Sequence, residues 1–150
     1  MRHPDVIAPP PLLYAGPWLG GLLLDRLLPL PRLPLVLRLL GLPLMAAGIG
    51  LGGWFAWTMR RAGTPIDPYQ APTALVTEGP FRRTRNPAYV GLTLIYAGLS
   101  LLTGILWPVL LLPGVLLAVD RGVIQREERY LGKQFRSAYS EYRRRVRRWL

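Results

Sequence analysis

The chain predicts an all-α integral membrane protein of about four transmembrane helices, the last two forming a helical hairpin, followed by a cytoplasmic helical C-terminal segment. Three observations carry this. Of the 150 residues, 51% are hydrophobic and only 18% charged, with a mean hydropathy of +0.24, which is too apolar for an ordinary soluble domain. From Asn86 to Val119 no residue is charged. The net charge of +11 is also segregated, since fifteen of the 19 basic residues lie in segment 60–87 or after Val119. A length of 150 residues leaves room for one domain, 1–150.

The first span is expected at about 7–28. Pro9-Pro10-Pro11 should be an extended lead-in, with the helix proper over Leu12–Leu28, crossing Asp25-Arg26. A signal peptide is the competing reading. The entry Met1–Asp5 is hardly basic, however, and no small-x-small cleavage site follows the apolar stretch, so a retained helix is preferred. The second span, about 35–59, is bounded by Arg32 and Arg38 at one end and Arg60-Arg61 at the other. The uncharged run from Asn86 would make about 50 Å of helix, against a hydrocarbon core of about 30 Å. It therefore divides at Thr103-Gly104 into spans 87–102 and 105–125, with Pro108 and Pro113 tolerated in a packed bundle.

Four spans bring both termini to one side. The positive-inside rule assigns loop 60–86 and tail 126–150 to the cytoplasm, and hence the chain to an inner membrane with cytoplasmic termini. Asp25–Pro34 becomes the external turn. The basic tail, with Arg143-Arg144-Arg145 and Arg147-Arg148, is explained by topology and by attraction to anionic lipid, so membrane lipids rather than nucleic acid are the expected partner. The absence of cysteine removes disulfides, thiolate metal sites and thiol nucleophiles. The single histidine, His3, supplies neither a metal cluster nor a Ser-His couple and is expected to be solvated, so no metal is expected.

Gly48-Ile49-Gly50-Leu51-Gly52-Gly53 imitates a nucleotide-binding glycine loop, yet it lies inside an apolar stretch of spanning length and not between a strand and a helix. Gly48 and Gly52 share a helix face and should admit a neighbouring helix. In loop 60–86, Gly63-Thr64-Pro65, Asp67-Pro68 and Gly79-Pro80 are turn signals.

Arg85-Asn86-Pro87-Ala88-Tyr89-Val90-Gly91 has a clear local physics. A residue before proline avoids the α region, asparagine favours the N-cap and proline the first helical position, so the third helix begins here at the cytoplasmic surface. Its free N–H groups, with Arg82, Arg83 and Arg85, suggest an anion site. Tyr89 lies one turn in, and Gly91 leaves space beside it. The hairpin returns Asp120, Arg121, Arg126, Glu127, Glu128 and Arg129 to the same surface. Adjacent helical residues point about 100° apart, so one of Glu127 and Glu128 should aim at Tyr89, Glu127 being preferred, and the other is left for solvent or a supporting pair. Taken alone, these elements also fit a capped helix start and a solvated amphipathic exit.

In order along the chain, Leu75-Val76-Thr77-Glu78-Gly79-Pro80-Phe81-Arg82, then Arg85 to Gly91, then Glu127-Glu128-x-x-Leu131, then Phe135, Tyr139 and Tyr142 form a pattern. It resembles the isoprenylcysteine carboxyl methyltransferase family, related to the phospholipid N-methyltransferases, from Gly63 to the C-terminus. The resemblance implies a membrane methyltransferase that binds S-adenosylmethionine in a cytoplasmic pocket of the last two helices and the C-terminal segment. Implied cofactor-binding residues are Arg85, Asn86, Pro87, Tyr89, Gly91, Glu127, Glu128, Tyr139 and Tyr142, with Arg85 and Glu127 closest to the chemistry. Asn86 stands where such proteins often have histidine, and Arg136 follows Phe135 where glycine is usual, at the turn that closes the pocket.

Methyl transfer from a sulfonium is an in-line displacement, which gains most from alignment and water exclusion. An anionic lipophilic acceptor, a prenylcysteine-like carboxylate or thiolate, needs no base. An amine acceptor, as in phospholipid N-methylation, must lose a proton, for which only Glu or Tyr is at hand. A non-catalytic lipid-binding or assembly protein on the same scaffold would bind no cofactor.

Overall fold

A computed structural model describes residues 8–67 and 69–150. His3, the segment Met1–Asp5, the start of the first span at Ile7 and the Pro68 half of the Asp67-Pro68 turn lie outside the described residues. The described residues are helical with no strand: α1 Pro10–Leu27, α2 Leu35–Leu39, α3 Gly41–Arg61, α4 Pro87–Thr103, α5 Leu106–Val119 and α6 Gln125–Arg145. Two helical runs, Leu35–Arg61 and Leu106–Arg145, are long and apolar enough to cross a membrane. α4 is apolar but only 17 residues long, and α1 carries Pro17 and the Asp25-Arg26 pair in 18 residues, so neither meets the same standard.

The expected extended lead-in is corrected: only Pro9 is outside α1, and Pro10 and Pro11 form its first turn. Proline lacks an N–H, but the first helical turn has no intrahelical acceptor for one, so the two prolines fit without loss. The second expected span is divided at Leu40 into α2 and α3, because Pro43 cannot donate to the Leu39 carbonyl. The hairpin turn falls where expected. Gly104 adopts φ +70° at the end of α4 and its carbonyl accepts from Leu33 N at 3.0 Å. The far end of the fourth helix differs. α5 ends at Val119, six residues before the expected 125, and a π turn over Asp120–Ile124 carries the chain directly into α6. Single π turns of this kind occur often at functional sites.

α3 and α4 make the most extensive helix contact, and glycines explain it. A Cβ at Gly48 would stand 2.7 Å from the Gly91 carbonyl oxygen, and one at Gly41 2.4 Å from that of Gly98, so side chains at these points would force the backbones apart. Of the Gly48/Gly52 pair, Gly48 is the one that admits the neighbouring helix, since a Cβ at Gly52 would meet nothing within 4 Å. α1 packs on α5 and α4. Tyr14 joins Tyr89, Tyr96, Val115, Val119, Val123 and Ile124 in the buried core, and its hydroxyl donates to the Tyr89 carbonyl at 3.2 Å and meets Thr93 Oγ1 at 2.9 Å.

Candidate functional site

At the polar end of the bundle a cavity of about 550 Å³ opens between α3, α4, both halves of α6, the first turn of α1 and loop 60–86. α3 supplies an apolar wall with Phe55, Ala56 and Met59, and the loop covers it with Ile66, Leu75 and Val76. The loop is fastened to α6 where Gln134 Nε2 donates to the Pro72 carbonyl at 2.7 Å. All nine residues singled out by sequence, Arg85, Asn86, Pro87, Tyr89, Gly91, Glu127, Glu128, Tyr139 and Tyr142, line this one cavity. Neither Phe55 and Met59 nor the loop cover was read from sequence, because an apolar helix face looks the same whether it meets lipid or a pocket.

α4 starts at Pro87 as its local physics dictates, with Asn86 at φ −129° outside the α region. Asn86 does not cap the helix with its side chain, however, because its Nδ2 donates to the Arg148 carbonyl at 2.9 Å. Arg82 and Arg83 are exposed and take no part in the cavity, so the expected three-arginine anion site reduces to Arg85. Arg85 is 9% exposed, and its Nη2 reaches Glu128 Oε1 at 3.2 Å. Its Nε and Nη1 are buried and make no well-formed hydrogen bond, although the Tyr139 hydroxyl stands beside the guanidinium. Each unmet N–H costs about 1–3 kcal/mol, so this wall is incomplete without an acceptor.

The two glutamates take different partners, and both face the cavity. Tyr89 donates its hydroxyl to Glu127 Oε1 at 2.7 Å, in line with the preference for Glu127 beside Tyr89. Glu128 is the supporting partner, joined to Arg85 and to Arg148, whose Nη2 lies 2.8 Å from Oε2. Glu127 stands beyond the apolar part of its helix. Burial pushes its carboxyl up to about 7, with the Tyr89 hydrogen bond opposing and the Glu128 charge adding to the shift. Burial and then Glu128 push the Tyr139 hydroxyl up to about 12, against the pull of Arg85 and Arg143. Tyr142 is raised as well, by burial first and then by Tyr139. Its hydroxyl donates to the Phe81 carbonyl at 2.8 Å, and its ring lies 6.2 Å from that of Tyr139. Arg136, where the resemblance led to glycine, adopts φ +43° and bends α6 between Glu128 and these tyrosines.

The basic tail is not wholly a lipid-facing charge run. Arg143, Arg144, Arg145 and Arg147 are exposed, but Arg148 turns inward and pairs with Glu128 and Asp120. Sequence reading missed it because its partners are distant in the chain, and a run of arginines does not show which member folds back.

Fold and cavity together define a small helical protein with two runs long and apolar enough to cross a membrane and a mainly apolar chamber into which Arg85, Glu127 and Glu128 bring charge. A family model, phospholipid methyltransferase, matches residues 36–138, well over half of the chain, and the chain belongs to that family. It is accordingly a membrane methyltransferase. The match is to the phospholipid methyltransferases as a group and does not single out the isoprenylcysteine branch. No curated protein and no solved structure matches the chain. Members of the family generally use S-adenosylmethionine. The residues present fit its chemistry: Arg85 lacks acceptors that a carboxylate would provide, carboxylates stand nearby for an ammonium or ribose hydroxyls, and aromatic rings are available for adenine or the sulfonium.

Proposed function

We propose that the protein, a single domain, transfers a methyl group from S-adenosylmethionine to a lipophilic acceptor at the cytoplasmic face of the membrane. In this reading the chain makes four passes, through α1, α2–α3, α4 and α5, in an inner membrane with both termini cytoplasmic. Its partners are membrane lipids and the acceptor, with neither nucleic acid nor a metal involved. The observation that carries the proposal is Arg85, a buried cation in the cavity wall with two nitrogens, Nε and Nη1, that lack a well-formed hydrogen bond. Arg85 would hold the cofactor carboxylate, and the N-terminal turn of α4 at Asn86 and Pro87 would lie against the same group. Glu128, already on Arg85, keeps that guanidinium in place. Tyr139 and Tyr142 offer faces to the adenine or the sulfonium, and Tyr89 with Gly91 shapes the wall on α4. The cofactor, when bound, supplies the activated methyl group; the protein contributes alignment and exclusion of water.

The acceptor follows one of two chemistries. A prenylcysteine-like carboxylate or thiolate arrives as the nucleophile and needs no base. An amine, as on a phospholipid head group, must lose a proton, and this second reading is favoured by Glu127, whose raised carboxyl is held toward the cavity by Tyr89. Calorimetry of S-adenosylmethionine and S-adenosylhomocysteine binding in mild detergent tests the proposal, with Arg85→Ala and Glu127→Gln beside the parent. Binding by the parent that is lost in Arg85→Ala is the expected result, and a panel of acceptors with radiolabelled donor then separates the two chemistries. A folded, monodisperse parent that binds neither ligand, with lipid supplied, overturns the proposal in favour of a non-catalytic lipid-binding or assembly protein.

A further inference from the structure

The five residues after α6, 146–150, fold back onto the segment that carries Arg85. Arg85 N donates to the Arg147 carbonyl at 2.9 Å. The Arg148 carbonyl accepts from Thr84 Oγ1 at 3.1 Å and from Asn86 Nδ2 at 2.9 Å. The side chain of Arg148 reaches two further elements. Its Nη2 and Nε approach Glu128 Oε2 and Oε1 at 2.8 and 3.3 Å, and its Nη1 lies 3.3 Å from Asp120 Oδ1 in the π turn. Trp149 packs against the core beside it. One residue thus ties together the π turn, the start of α6 and the loop before α4, and it lies beyond the matched residues 36–138.

We infer that this tail is a clasp, latched by Arg148, that keeps Arg85 in position to receive an anion. Glu128 is shared between two arginines. Arg148 engages both of its oxygens, whereas Arg85 shares only Oε1. Without Arg148 the whole charge of Glu128 falls on Arg85, and a closed one-to-one pair competes with any incoming carboxylate. The backbone bonds from 84–86 to the tail also lose their anchor. Arg148 touches no cavity surface and acts through Glu128 and Arg85, so it is a positioning residue.

The consequence for affinity rests on the cofactor reading above, and the latch itself does not. Binding of S-adenosylhomocysteine to the full chain in detergent is measured for the parent, Arg148→Ala, Arg148→Lys, Glu128→Gln and the Arg148→Ala/Glu128→Gln double variant. Hydrogen exchange at the Arg85 amide is followed in the same set. Arg148→Ala is expected to weaken binding about tenfold or more, with an intermediate loss in Arg148→Lys, which keeps the charge but not the two-pronged contact. The loss should shrink when Glu128→Gln is already present, because no carboxylate is left to fall back on Arg85. The Arg85 amide should exchange faster in Arg148→Ala.

Unchanged affinity, or an equal loss with and without Glu128→Gln, overturns the inference while leaving the cofactor reading intact. A parent that binds no ligand overturns the cofactor reading instead. Exchange then decides the latch, and unchanged protection of the Arg85 amide refutes it. If Arg148→Ala does not fold, Arg148→Lys carries the same comparisons.

Discussion

Arg136 stands at φ +43° and ψ −114°, the only non-glycine residue with positive φ among those described, and its side chain is exposed with a backbone carbonyl that accepts from Ser140. A non-glycine residue held in so sparsely populated a backbone region costs about 1–3 kcal/mol. Glycine avoids that cost but loses about 0.5–1 kcal/mol through its freer unfolded chain. The balance predicts that Arg136→Gly stabilises the protein by roughly 1 kcal/mol, within a range of about 0–2.5, or about 2–4 °C for each kcal/mol in a chain of this size. Thermal unfolding in a single detergent measures it, with Arg136→Ala as the control. Alanine removes the same guanidinium but keeps Cβ, so its midpoint should stay near that of the parent. A lower midpoint in Arg136→Gly, or an equal rise in both variants, would refute the conformational argument.

Two further outcomes follow from geometry and charge. Gly48→Ala places a methyl 2.7 Å from the Gly91 carbonyl and should destabilise by about 1–3 kcal/mol, whereas Gly50→Ala, with nothing within 4 Å, should be near neutral; midpoints measured side by side check this, and equal effects would contradict the close helix contact. Glu127, raised to about 7 from 4.5, binds more protons in the folded than in the unfolded state between those values, so stability should fall as pH rises from about 4.5 to about 7 and level off above. Glu127→Gln should flatten that part of the denaturation-against-pH profile, and an unchanged slope would show that Glu127 is not its source.

What the sequence revealed depended on how local the physics was. The start of α4 is written into Asn86-Pro87 because a residue before proline is excluded from the α region by its immediate neighbour, and the turn at Gly104 is equally local. The apolar helices are readable as a class; the break at Leu40 is also local, through the missing donor of Pro43, but a single proline near a helix start does not by itself mark a break, and nothing in the sequence marks the π turn after Val119, whose Gly122, Val123 and Ile124 are buried. The pairing of Asn86 with the tail overrode its capping preference. Arg148 was lost among identical neighbours, because only the tertiary fold distinguishes the arginine that meets Asp120 and Glu128 from those that face outward.

The π turn at Asp120–Ile124 sets the rotational phase between α5 and α6. A regular helix advances about 100° per residue, so a helix running unbroken from Leu106 would dictate where Glu127 and Glu128 point from the arrangement of the apolar residues before them. The wider turn spends an extra residue and resets that angle. The apolar face of α5 and the polar face of α6 are thereby set independently, one by its neighbours in the bundle and the other by Tyr89, Arg85 and Arg148. Substitutions that turn or tilt α5 can be absorbed at this joint without carrying the two carboxylates away from the cavity.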